Sequence, residues 1–329
     1  IFAHSRASRL PICHSGLSRI FLYNLELIRF SKNKHRKDSR QAGMTPRSIK
    51  ILYLSILCFL FLFHFATPVH SFMPDTEIAV FQKDIANKPI GERIAFWAEK
   101  FVGTPYDPDP LGEYVTKKAI VADERVDCMY LSFRAVELAL SLTPDKAIDI
   151  ALDKRFITRG VLDSKGNVIN YEDRFQYGED MLDSGRWGKE ITGELGKVTE
   201  IKGSRGREKV KIISKETLLK GIKGSKGQRV KNSDTLTLGY ADTFKSGDFI
   251  FFIKAVEKRK AGEIVGHIGI IKIEDRSQES GVRSQKKDKE IYLIHAGGAK
   301  NKGGEVTKVR LYDYINSMPF IGVRVSRIN

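Results

Sequence analysis

The polar and apolar positions of this chain fall into a helical part followed by a strand-rich part. Ile94, Trp97, Ala98 and Phe101 recur at helical spacing within 90–101, and Gly103-Thr104-Pro105-Tyr106 then stops the helix. A second run opens at Asp127-Cys128 and stays largely apolar to Leu142, where Thr143-Pro144 closes it. Leu131, Ala135, Leu138 and Leu142 line one side of this helix, and Met129, Phe133, Val136 and Leu140 line another. That is the pattern of a helix buried at the centre of a fold. Further on, Asp248–Ile253, His267–Ile273, Ile291–Ala296 and Gly322–Ile328 are β-rich and bounded by Gly, Lys and Ser clusters. Together they predict an α+β domain, an antiparallel sheet packed against the central helix. The polar stretch Glu274–Glu290 reads as a mobile hairpin loop. Residues 197–233, rich in Lys and Gly, read as an inserted, partly ordered basic loop with a solvated surface.

The start of the chain follows a different pattern. Met44 is followed by Arg47 and Lys50, then by an apolar run from Ile51 to Ala66 and by Pro68-Val69-His70-Ser71. A charged region, an apolar core and a small-residue end make 44–71 a secretory signal cut after Ser71. The run falls short of the ~20 residues of a membrane span, and His64 interrupts it. Residues 1–43 are basic and Ser-rich with no apolar period, and read as untranslated or disordered sequence upstream of Met44. This leaves 72–329 as a single exported domain, periplasmic or secreted, that meets the membrane only through the signal.

Charge and chemistry change once the signal is set aside. The chain has 56 Lys+Arg and 40 Asp+Glu, of which 1–71 hold 11 and 2, so 72–329 carry 45 against 38, or +7. A moderate positive balance suits an anionic cell-envelope polymer, and export argues against nucleic acid as partner. Of 3 cysteines and 7 histidines, only Cys128, His267 and His295 lie beyond residue 71, so that part of the chain forms no internal disulfide. If Asp127 caps its helix, the Cys128 thiol sits in the first turn, where unpaired N–H groups and the dipole favour negative charge. The same amides would suit the oxyanion formed when a thiolate attacks a carbonyl. His267 starts a strand whose next inward position is Gly269, and His295 ends the adjacent strand if the intervening loop is a hairpin. One imidazole would then take the thiol proton while the other fixes its tautomer. Two blander readings stand beside this: a small apolar cysteine in a buried helix, and strand histidines satisfied by the backbone. A zinc site is a third, but no Cys-x-x-Cys or His-Glu-x-x-His cluster accompanies the three residues, and neither metal nor cofactor is expected.

The order Gly103-Thr104-Pro105-Tyr106, Asp127-Cys128, Ser246-Gly247-Asp248-Phe249-Ile250-Phe251-Phe252, His267-Ile268-Gly269-Ile270 and Ile294-His295-Ala296 resembles the NlpC-type cell-wall cysteine peptidases. Residues 155–196, with Arg155-Phe156, Tyr171-Glu172-Asp173-Arg174, Tyr177 and Trp187, look like the exported N-acetylmuramoyl-L-alanine amidase-like branch of that superfamily. The resemblance spans about Ile94 to Arg327, with 197–240 poorly matched, and each motif is short. It implies a papain-like fold, Cys128 as nucleophile, His267 as general base and acid, and His295 as orienting third member. Tyr106, Asp127, Tyr171 and Arg174 are the implied substrate-side residues, and the Ser-Gly-Asp-aromatic strand is implied to be structural. Met129 and Tyr130 depart from the small polar residues that usually follow the Asp-Cys pair. The function implied is cleavage of an amide bond in the peptide part of peptidoglycan, by a monomer acting through an acyl-enzyme. The bond itself is left open between muramoyl–L-alanine and the stem peptide. An inactive wall-binding module and an acyltransferase on the same fold are the alternatives.

Overall fold

A computed structural model describes residues 72–108, 112–224, 243–259, 263–275, 289–299 and 303–329. The expected signal and the residues before it, the core of the polar Glu274–Glu290 stretch, and 225–233 of the basic segment lie outside the described residues.

The longer helices are α1 (Asp75–Asp84), α2 (Ile90–Lys100), α3 (Cys128–Leu140), α4 (Pro144–Lys154), α5 (Lys215–Gly224) and α6 (Leu311–Ser317). The strands are β1 (Lys189–Glu190), β2 (Thr199–Lys202), β3 (Lys209–Ser214), β4 (Phe249–Lys254), β5 (Val265–Asp275), β6 (Lys289–Ala299), β7 (Gly303–Arg310) and β8 (Phe320–Arg327). All pair antiparallel in one sheet of order β2-β3-β8-β4-β5-β6-β7, with β1 added against β8. The fold is α+β. Alternation in β4 shows how the sheet is buried on both sides. Phe249, Phe251 and Ile253 face a core built on α1, α2 and α3, whereas Ile250 and Phe252 face a second core that includes Leu218 of α5 and Leu311 and Ile315 of α6.

α3 begins where Asp127 accepts the Tyr130 backbone N–H at 2.6 Å, an N-cap that leaves Cys128 as the first helical residue. It ends at Leu140, two residues earlier than the apolar run suggests, because Ser141 turns extended and Thr143 is needed as the cap of α4. Leu142 is accordingly exposed instead of continuing the core stripe. A stripe that the apolar pattern does not reveal runs along the same helix. Tyr130, Arg134 and Glu137 are all buried, four and three residues apart. Arg134 pairs with Asp123 at 3.0 Å, Tyr130 donates its hydroxyl to Asp123 at 2.7 Å, and Glu137 takes Arg155 through two bonds of 2.5 and 2.7 Å. This also accounts for Tyr130 after the Asp-Cys pair: its ring fills the interior and its hydroxyl accepts the Ala122 N–H at 2.6 Å.

The Ser-Gly-Asp segment before β4 is structural here. An added Cβ on Gly91 would stand 2.2 Å from the Ser246 carbonyl oxygen, and Gly247 adopts φ +87°, so α2 reaches this turn only through two glycines. Asp248 then accepts the Lys245 N–H and both prongs of Arg327, at 2.6 and 2.7 Å.

The basic segment is more ordered than its composition suggests. β2 and β3 form a hairpin over 199–214 and α5 follows, because Val210 and Ile212 turn inward while Lys209 and Lys211 stay exposed. β7 is a further strand that the sequence pattern misses. It has β6 as its neighbour at the end of the sheet order and is rich in polar residues.

Replacing Glu137 by Ala leaves the Arg155 guanidinium buried without its carboxylate. The expected loss is about 3–5 kcal/mol in urea unfolding, with most of it regained in the Glu137→Met, Arg155→Met double variant. A loss under 1 kcal/mol in the single variant would show that the pair is dispensable.

Candidate functional site

The site lies where two strands part company. β5 and β6 pair from Asp275–Lys289 up to Ile270–Ile294 and no further. Beyond that point β5 continues on β4 through His267 and Val265, and β6 continues on β7 through His295 and Ala299. The N-terminus of α3 meets this divergence. The backbone N–H groups of Ile268, Cys128 and Met129 face the Cys128 sulfur and favour its charged form, yet burial and the neighbouring Asp127 carboxylate prevail and push the thiol up to about 12. Asp127 is raised to about 6 by burial, with Asp107 adding to the effect and the Tyr130 N–H opposing it.

His267 and His295 meet across the divergence, with Nε2 of the first 3.0 Å from Nδ1 of the second. The rings stand edge to face with centroids 4.9 Å apart. Burial lowers His267 to about 3, with His295 adding to the shift, and burial lowers His295 to about 4. These shifts favour a neutral thiol and neutral imidazoles. Since Nε2 of His267 is engaged by His295, a further partner of this ring would meet Nδ1. Among the described residues no hydrogen bond joins the Cys128 sulfur to either ring.

Tyr314 of α6 connects the two groups, and the sequence reading misses it. Its ring lies 4.5 Å from that of His295 and 5.9 Å from that of His267, and a charge on Cys128 adds to the effect of burial in raising its phenol. Nothing in the isolated helix 311–317 marks Tyr314, because only the tertiary fold turns it to the strands. Two glycines after His295 are also missed, although their adjacency is a usable signal. A Cβ on Gly297 would come within 3.0 Å of the His295 ring, and one on Gly298 within 2.7 Å of the Tyr106 ring. They make space for the two side chains.

The four substrate-side residues divide. Tyr106 is beside the thiol: burial raises its phenol to about 12, with Cys128 the next contributor. The Asp127 carboxylate is occupied as the α3 cap and lies 3.5 Å from the Tyr114 hydroxyl. Tyr171 is only 3% exposed and donates its hydroxyl to the Ala119 carbonyl at 3.3 Å, so it is a core residue and does not line an open cleft. Arg174 stacks on that ring, its Cζ 5.4 Å from the centroid, and among the described residues no carboxylate pairs with it. No group of three or more metal-ligating side chains occurs among the described residues, and no helix there is long and apolar enough to cross a membrane.

No family model matches the chain, and no curated protein sequence matches it. Among solved structures it is similar to protein LPG0564 from Legionella pneumophila, of family DUF1460, with TM-score 0.50 and 14% identity over 76% of this chain and 93% of that one. It is also similar to a N-acetylmuramoyl-L-alanine amidase from Bacteroides uniformis, with TM-score 0.46 and 19% identity over 73% of this chain and 99% of that one. The first likeness is one of fold.

Two outcomes follow from the neutral site. Alkylation of Cys128 by iodoacetamide should quicken about tenfold per pH unit from pH 7 to 10, because the thiolate fraction is still rising. A rate already flat at pH 7 would reveal a preformed thiolate–imidazolium pair. His295, lowered in the fold from 6.5 to about 4, contributes stability above pH 6.5 that is lost as pH falls through 4. The loss is about 3 kcal/mol. Asp127, shifted upward, opposes part of it below pH 6. Urea midpoints of the wild type should therefore fall more steeply between pH 7 and 4 than those of His295→Gln, and parallel slopes would contradict this account.

Proposed function

We propose that the domain is a papain-like thiol amidase that cuts an amide bond in the peptide part of peptidoglycan. The observation that carries the reading is that, where β5 and β6 diverge, the cysteine that starts α3 takes the backbone N–H of Ile268 at its sulfur, next in sequence to His267, whose ring is hydrogen-bonded to His295. The substrate class rests on the resemblance of the motif order to the NlpC-type enzymes.

In the proposed reaction the Cys128 proton passes to His267 Nδ1 as the sulfur bonds to the scissile carbonyl carbon. The oxyanion is taken up by backbone N–H groups at the start of α3. His267 then gives its proton to the departing amine as the C–N bond breaks, leaving a thioester on Cys128. Water, deprotonated by His267, attacks the thioester, and the acid and the thiol are released. With a thiol held near 12, the base is indispensable, since almost no thiolate exists before proton transfer. His295 holds the base in place, and Tyr106 borders the sulfur. The segment 44–71 would deliver the enzyme to the periplasm or the exterior.

Purified protein incubated with muropeptides should release new amine and acid termini, whose masses identify the bond. Cys128→Ala should fall to background, and His267→Gln should lose about 10²- to 10⁴-fold. Full activity in Cys128→Ala would end the proposal.

A further inference from the structure

His295 has a second polar neighbour on the strand beyond it. Thr307 lies directly opposite His295 in the β6–β7 register, and its Oγ1 is 3.3 Å from His295 Nε2. The side chains of His267, His295 and Thr307 thus form one line of polar atoms across β5, β6 and β7, joined at 3.0 and 3.3 Å. Each histidine nitrogen in this line is a donor or an acceptor according to tautomer, and the choices are linked.

We propose that Thr307 is the positioning residue that sets the tautomer of both imidazoles by accepting the Nε2 proton of His295. The inference rests on the reading of His267 as the base, and the logic runs back along the line. To take a thiol proton at Nδ1, a neutral His267 must carry its own hydrogen on Nε2. It then donates to His295 Nδ1, which must be bare, so the His295 hydrogen is on Nε2 and requires an acceptor. The Ala296 backbone carbonyl also engages the His295 ring, but the group seated on Nε2 is Thr307 Oγ1, and it is the acceptor proposed here. The opposite arrangement, with Thr307 donating, would move the His295 hydrogen to Nδ1 and the His267 hydrogen to the nitrogen reserved for the thiol, closing it to proton transfer. No proton leaves His295 in either direction during the reaction.

The space around the line supports a built arrangement. Gly297 leaves room for the His295 ring, and Tyr314 packs against both rings on the face where α6 covers the sheet. His295 itself is 8% exposed, so water is a poor substitute for a lost acceptor.

Nitrogen NMR of imidazole-labelled wild-type protein at pH 7 reads the tautomers without any substrate. The expected result is hydrogen on Nε2 of both His267 and His295; hydrogen on Nδ1 of His295 overturns the proposal. Thr307→Val keeps the shape and removes the acceptor. It should mix the His295 tautomers and lower kcat about five- to tenfold with KM unchanged, the worth of one hydrogen bond. Thr307→Ser should restore both. An unchanged tautomer with unchanged kcat in Thr307→Val also overturns it. Because the NMR result is independent of turnover, failure here is distinct from failure of the proposed function, which the Cys128→Ala digest decides.

Discussion

The interior ion chain Asp123–Arg134–Glu137–Arg155 is the constraint on which the rest of the domain depends. A helix whose other sides are apolar can rotate about its axis with little change in buried area, so hydrophobic packing alone fixes its phase weakly. Three polar side chains on one stripe of α3 remove that freedom. Arg134 and Tyr130 engage Asp123 in the loop before the helix, and Glu137 engages Arg155 at the end of α4. Burial would lower the guanidinium pKa values, but the paired carboxylates more than offset it and hold both above the usual value. Buried pairs of this kind seldom add net stability over an apolar equivalent, and their return is orientation. Here the orientation is that of the first residue of α3, Cys128, aimed at the parting of β5 and β6.

With the thiol aimed, the chemistry depends on what surrounds it. Two layers contribute: α3 belongs to one face of the sheet, while His267, His295 and Thr307 share the other face with α6. The strands must separate for groups from opposite faces to meet, and the end of pairing at Ile270–Ile294 supplies the opening. Burial favours the uncharged forms of the thiol and of both imidazoles.

Periodicity along the chain revealed the central helix, the β4, β5, β6 and β8 strands, and the adjacency of the two histidines, because each is a local pattern of apolar residues or a strand end. Less visible was anything that depends on tertiary pairing. Arg134 and Glu137 read as interruptions of an apolar helix until Asp123 and Arg155 are brought to them. β7 and the β2–β3 hairpin are too rich in Lys and Glu for composition to mark them as strands, although Val210, Ile212 and Val306 are buried in alternation with those charges. Tyr171 illustrates the opposite error: a conspicuous tyrosine within a family-like motif proves to be core, whereas Tyr314, in an unremarkable helix, faces both imidazoles.

The place of β8 in the sheet has a consequence for the order in which the molecule can be completed. Residues 320–327 lie between β3 and β4, and also receive β1. The β4-to-β7 meander can form from neighbouring sequence, but the strands before it join the sheet only through a segment synthesised more than a hundred residues after β3. Such long-range closure is slow and comes last. Until it happens the sheet exists in two pieces. Were the chain exported as proposed, late closure would keep it open for translocation and defer assembly to the far side.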